Sequence, residues 1–271
     1  MTTKFAVVGS PISHSLSPAL HNKAYEFLKL NFEYGSFDVP EAHLESFVST
    51  STFAGLSVTM PLKKEAFDFA ARASGDALVT RVANTLILVG QEWVAYNTDV
   101  FGISKALSGV SYPEQIHILG SGSTATSALL AISKLYPSAK VCIMARSEDQ
   151  TKVLKAFGDN LGLECSTSSL NAASIVASDL VLSFVPAGVL DSFWDKIAAS
   201  EQIPRGVLFD SSYRPWPSTA AKAWRSESIS GINMLVWQAV AQVELFAESQ
   251  GVGLSIDQTQ LAQVMFSAIN D

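Results

Sequence analysis

Short apolar runs alternate with helix-periodic segments along most of the chain. Phe5-Ala6-Val7-Val8 runs into Gly9-Ser10-Pro11, which predicts a strand closed by a turn. From Ser17 a helix is expected, with a hydroxyl at its start, Pro18 in the first helical position, and Leu20, Tyr25, Phe27 and Leu28 on its buried face. A strand over Tyr34–Val39, a helix opening at Pro40–Leu44 and a strand over Leu56–Met60 follow, the last ended by Pro61. Thr85–Val89 and Trp93–Asn97, separated by Gly90-Gln91, read as a β-hairpin. In the middle of the chain Gln115–Leu119, Lys140–Ala145, Leu180–Phe184 and Gly206–Phe209 read as strands of one sheet, with a helix over Thr126–Leu135. Strands alternating with helices define an α/β chain. A helix over Val100–Leu107 marks the expected boundary between two domains, and a helical stretch from Met234 to Gln250 is expected to pack on the first of them.

Composition narrows the class. The 271 residues are 48% hydrophobic and 16% charged, which suits one or two globular domains and excludes a disordered chain. The net charge of −7 lacks the basic footprint of a nucleic-acid binder. An anionic ligand must therefore be held by a local device, such as a helix N-terminus. No apolar run has the ~18 residues of a membrane helix, and no leader is apparent at Met1–Ser10, so a cytoplasmic protein is expected. Cys142 and Cys165 are at no metal-ligand spacing and read as reduced thiols. His43 and His117 read as structural or exposed, while His14 and His21 flank a pair of serines.

Candidate chemistry gathers at three places. Gly120-Ser121-Gly122-Ser123-Thr124-Ala125 fits G-x-G-x-x-A between a strand and a helix, the context in which a dinucleotide pyrophosphate meets a helix N-terminus. The next strand ends in Ala145-Arg146 without a carboxylate, which favours NADP over NAD, because Arg146 suits a 2′-phosphate. Ser15 and Ser17, spaced by one residue at a helix start, would cradle a carboxylate. Thr59 and Lys63 flank a proline turn.

With these segments in view, the chain resembles the shikimate dehydrogenases over essentially its whole length. The resemblance is carried by Gly9–Pro18, Ser57–Lys63, Ala83–Leu86, Asn97–Asp99, the glycine-rich loop, Asp210–Tyr213 and Gly231–Gln238. It implies an α/β substrate-binding domain (1–101, joined by a C-terminal helix, 234–271) and a Rossmann-type doubly wound parallel sheet domain (102–233). It implies Lys63 and Asp99 as the catalytic pair. Ser15 and Ser17 would hold the substrate carboxylate, Thr59, Asn84 and Gln238 the ring hydroxyls, and Tyr213 the pocket wall. The glycine-rich loop from Gly120 through Ser121, Gly122, Ser123 and Thr124 to Ala125, with Arg146, Ser183, Val185 and Gly231, would hold NADP. The implied reaction is reversible reduction of 3-dehydroshikimate to shikimate in a monomer or homodimer. The rivals are a quinate/shikimate dehydrogenase using NAD and a silent regulator that binds without turnover. The chain departs from the common family pattern at Ser57 (usually Asn), Val100 (Gly), Ser123 (Gly), Ala145 and Ser147 (Asn and Thr) and Gln150 (a cation). The last three bear on cofactor preference more than on the reaction.

Overall fold

A computed structural model describes residues 2–255 and 257–270; positions 1, 256 and 271, which fall inside the expected substrate-domain and C-terminal spans, lie outside the described residues. The chain divides into two compact units, one of Met1–Gly102 with Leu235–Asp271, the other of Ile103–Met234.

The first unit runs β1 (Thr3–Gly9), α1 (Ser17–Leu28), β2 (Phe32–Asp38), α2 (Leu44–Ser49), β3 (Gly55–Val58), α3 (Lys63–Phe69), β4 (Arg72–Ala73), α4 (Asp76–Thr80), β5 (Thr85–Val89), β6 (Glu92–Tyr96) and the start of α5 (Asp99–Ala106), a helix that crosses the boundary at Gly102. Its sheet has the order β2-β1-β3-β5-β6-β4. β1 pairs in parallel with β2 and β3, while β5 runs antiparallel to β3 and β6. Side chains of a strand alternate between faces, so β1 feeds two cores. Phe5 and Val7 pack with Leu20, Ala24 and Tyr25 of α1; Ala6 and Val8 pack with Leu44, Val48, Leu62 and Ala66 on the other side. Phe27, expected on the buried face of α1, is exposed.

The second unit runs β7 (Gln115–Leu119), α6 (Ser123–Leu135), β8 (Lys140–Met144), α7 (Glu148–Asn160), β9 (Glu164–Thr167), α8 (Ala172–Val176), β10 (Leu180–Ser183), α9 (Asp191–Ala199), β11 (Val207–Asp210), α10 (Thr219–Trp224) and β12 (Ser228–Ser230). The strands are all parallel in the order β12-β11-β10-β7-β8-β9. That is the doubly wound arrangement, with the reversal of strand order between β7 and β10.

The expected single C-terminal helix is two, α11 (Gly231–Ser249) and α12 (Gln258–Asn270). Gly251 has φ +72°, a left-handed conformation that ends a helix and that glycine adopts without penalty. Val236, Ala239, Val240, Val243 and Phe246 form one face of α11 at helical spacing and complete the Phe5 core, joined by Leu261, Ala262 and Met265 of α12. Gly55 of β3 admits this helix, since a Cβ there would lie 2.7 Å from the Phe246 ring.

Candidate active site

Within the first unit the chain ends of β3, β5 and β6 converge. Lys63 is the first residue of α3, where the helix dipole disfavours a cation. What holds it is Asp99, the first residue of α5: Nζ donates to Oδ2 at 2.6 Å. The side chains are 13% and 4% exposed, so the pair is largely out of water. The backbone N–H of Asp99 donates to Asn97 Oδ1 at 3.1 Å, and Asn97 Nδ2 donates to Thr80 Oγ1 at 3.0 Å.

Asn84, in the turn before β5, holds the other carboxylate oxygen. Its Oδ1 accepts from the Thr98 backbone N–H at 2.8 Å, which fixes the amide orientation. Nδ2 then faces Thr98 Oγ1 (2.8 Å), Asp99 Oδ1 (2.9 Å) and Gln238 Oε1 (3.2 Å). Gln238, on α11, donates from Nε2 to the Leu235 carbonyl at 2.8 Å. Asn84, Thr98, Asp99 and Gln238 are all buried. Thr59 sits just past β3, half-buried, with its N–H bonded to the Val8 carbonyl at 2.9 Å. Gly9 makes that approach possible, because a Cβ there would collide with the Thr59 methyl group.

The serine pair behaves differently from a simple cap. Ser17 begins α1 but does not cap it; Leu16 occupies the cap position, and no side chain bonds there. Ser15 Oγ accepts from the Ser17 N–H at 3.3 Å instead. One turn on, the fully buried His21 donates from Nδ1 to the Ser17 carbonyl at 2.9 Å and stacks on Tyr34 at 4.0 Å between centroids. A carbonyl only accepts, so Nδ1 carries the proton. Burial pushes the His21 pKa down to about 4, opposed by its bond to Ser17 and, less, by Gln242.

Three residues to which sequence reasoning gave no role complete the network. Thr85 Oγ1 donates to Asn84 Oδ1 at 2.9 Å, Gln242 Nε2 donates to Thr85 Oγ1 at 2.9 Å, and Thr98 Oγ1 meets the Asn84 amide. A usable signal existed: Gln242 lies four residues after Gln238 in an otherwise apolar stretch, so both project from one helix face.

The remaining candidates belong to the second unit. Gly120 follows β7 with φ +109°, and a Cβ there would lie 3.2 Å from the Phe184 carbonyl oxygen. Gly122 has ordinary torsions, and its Cβ would meet nothing within 4 Å. The fold alone does not require glycine there; a pyrophosphate approaching the backbone would. Ser123 and Thr124 open α6, and fully buried Ala125 lets that helix sit close to the sheet. Ser121 Oγ donates to Gln150 Oε1 at 3.0 Å, which ties the glycine-rich loop to α7. Arg146 is exposed past the end of β8, free of secondary-structure burial, and Ser147 caps α7. These groups fit a dinucleotide carrying a 2′-phosphate: a backbone cradle at a helix N-terminus and a guanidinium after the second strand. Ser183 and Val185 line a cavity of about 190 Å³ at the carboxyl ends of β10 and β11, with Asp210 and Ser212 in its wall. Asp210 accepts from Ser218 Oγ at 2.6 Å and the Ser212 N–H at 3.1 Å. Burial raises its pKa, an effect those bonds only partly offset. Tyr213 is half-buried, and burial raises its phenol pKa against the opposing charge of Arg214. Gly231, at the start of α11, packs against the Ser211 backbone so closely that no side chain fits.

Both cysteines are free; Cys165 is buried, and burial pushes its thiol up to about 11, the property of an inert structural thiol. His117 donates or accepts at Ser178 Oγ (2.9 Å) inside the second unit, and His43 is exposed. Among the described residues no helix is long and apolar enough to cross a membrane.

A parallel sheet in doubly wound order with a glycine-rich first turn places the second unit among the dinucleotide-binding folds. The first unit narrows this further: residues 7–86 match the shikimate dehydrogenase substrate binding domain. The shikimate dehydrogenase (NADP(+)) of Ignicoccus hospitalis is 33% identical over 246 residues, covering 87% of this chain and 90% of that protein. The pentafunctional AROM polypeptide of Eremothecium gossypii is 30% identical over 266 residues, which cover 90% of this chain but only 17% of that much longer protein. The crystal structure of Mycobacterium tuberculosis shikimate dehydrogenase superposes with a TM-score of 0.84 at 32% identity, covering 99% of both chains. The chain belongs to the shikimate dehydrogenase family.

Proposed function

We propose that this chain is an NADP-dependent oxidoreductase that interconverts 3-dehydroshikimate and shikimate, a step of aromatic amino acid biosynthesis, with Lys63 and Asp99 as its catalytic pair. The observation that carries this reading is the 2.6 Å contact between a largely buried ammonium and a buried carboxylate whose second oxygen is held by an amide. A buried ion pair is an expensive way to gain stability, so its presence is better explained by chemistry.

NADPH, when bound, supplies a hydride to the substrate carbonyl carbon. Negative charge then develops on the ring oxygen, and the Lys63 ammonium stabilises it and donates a proton. Asp99 orients that ammonium and receives a neighbouring ring hydroxyl. Ser15 and Ser17 bind the substrate carboxylate, Thr59 and Gln238 bind ring hydroxyls, and Tyr213 lines the pocket. Asn84 acts first on Asp99, since its amide already has partners on both atoms. The loop Gly120–Ala125 holds the pyrophosphate, Arg146 the 2′-phosphate, and Ser183, Val185 and Gly231 the nicotinamide end.

The test is the absorbance of NADPH in the purified protein with shikimate and NADP, and separately with NAD. Shikimate-dependent reduction with a higher kcat/KM for NADP is expected. Binding of both ligands without reduction would instead define a regulator, and an equal or higher value with NAD would overturn the cofactor reading.

A further inference from the structure

We propose that Gln242 and Thr85 are positioning residues for the catalytic pair, acting through Asn84; this deepens the dehydrogenase reading and rests on it. The bonds form a directed chain. Tyr34 Oη donates to Ser57 Oγ at 2.6 Å, Ser57 Oγ donates to Gln242 Oε1 at 2.7 Å, and Gln242 Nε2 donates to Thr85 Oγ1 at 2.9 Å. Thr85 Oγ1 donates to Asn84 Oδ1, and Asn84 Nδ2 donates to Asp99 Oδ1, each at 2.9 Å.

Two backbone groups fix the direction of this chain. The Asn84 carbonyl, which can only accept, takes a bond from Gln242 Nε2 at 3.1 Å, so the oxygen of that amide must face Ser57. The Thr98 N–H, which can only donate, takes Asn84 Oδ1, so the NH2 group must face Asp99. Between these anchors the Thr85 hydroxyl has one proton. Because Gln242 supplies a donor to its oxygen, that proton is directed at Asn84. The result is an amide held on its oxygen side by two donors and presenting its hydrogens to the carboxylate that pairs with Lys63. Gln242, Thr85 and Ser57 are buried, so water does not readily substitute for a missing member, and linked bonds in such surroundings reinforce one another.

Thr85→Val and Gln242→Met approximately conserve side-chain size and remove the donors. Steady-state kcat and KM with shikimate and NADP would be measured for each, for the double variant and for Thr85→Ser, alongside thermal midpoints. Each single variant is expected to lower kcat roughly three- to tenfold, the value of one neutral hydrogen bond, with KM for NADP unchanged. Thr85→Ser, which keeps the hydroxyl, is expected to stay within about twofold of wild type. The double variant should be no slower than the slower single one, because both act through one chain. Should Thr85→Val not fold, the Gln242→Met and Thr85→Ser pair gives the same contrast. Lower thermal midpoints with wild-type kcat in both single variants would overturn the positioning role while leaving the dehydrogenase intact. Absence of turnover in the wild-type protein would overturn both.

Discussion

In the proposed reaction Lys63 and Ser15 would make two kinds of contact that differ in when they act. On the proposed reading the Lys63 contact to the ring oxygen would strengthen as charge develops, so Lys63→Ala should lower kcat by about a hundredfold or more with a smaller change in KM. Ser15 would hold a carboxylate that is equally charged before and during reaction, so Ser15→Ala should raise KM and leave kcat nearly unchanged. Steady-state kinetics of the two variants check this; near-normal kcat in Lys63→Ala would remove the catalytic assignment. His21 makes a different prediction at the same scale. Its folded pKa of about 4 lies below the ordinary histidine value of 6.5, so the folded state holds the neutral ring. Its contribution to stability is complete above the unfolded pKa and is lost as pH falls from about 6.5 to about 4, by on the order of 3 kcal/mol. Urea unfolding at pH 7 and pH 4.5 should show a larger loss in wild type than in His21→Phe, and equal losses would refute it.

At the scale of elements, the two loop glycines should respond in opposite ways. Gly120→Val forces a side chain into a left-handed backbone beside the Phe184 carbonyl and should lower the thermal midpoint of the ligand-free protein. Gly122→Val projects into open space, so the midpoint should hold while NADP affinity, measured by calorimetry, falls at least tenfold, about 1.4 kcal/mol. Unchanged NADP affinity would remove this loop from the cofactor site. These elements also show what the sequence makes legible. β7, β10 and β11 are buried apolar runs with turn residues at their ends, and the G-x-G-x-x-A turn states its own requirement. By contrast α7, Glu148–Asn160, turns Thr151, Leu154 and Gly158 inward, of which Leu154 alone is strongly apolar, and β9 is mostly exposed, so their buried positions are hard to read from residue type. The break between α11 and α12 depends on one left-handed glycine. In the candidate site, the motifs flanking Lys63 and Asp99 point to a pairing of the two, and the structure brings them into contact. Gln242 leaves one trace, its spacing of four from Gln238, but its link to Thr85 is not legible, because a buried hydroxyl and amide gain meaning only when brought together from 157 residues apart.

The whole molecule has two units with separate cores, so unfolding need not be a single transition. Phe246 is fully buried against Phe5, with ring centroids 4.4 Å apart, in the first unit. Phe246→Ala should cost that unit about 3–5 kcal/mol. Urea denaturation should then become biphasic, with NADP moving the later phase alone. One transition displaced as a whole would show that the two cores unfold together.

The first unit is closed by residues from the other end of the chain: Val236, Val240, Val243 and Phe246 cover the strand that carries Phe5 and Val7. Synthesis on the ribosome is vectorial, so β1 emerges long before α11, its cover, is translated. The intervening unit, Ile103–Met234, is contiguous and can fold as soon as it clears the exit tunnel. The nascent polypeptide therefore carries an uncovered apolar surface from the synthesis of β1 until α11 is translated, an exposure that the folded chain no longer reveals.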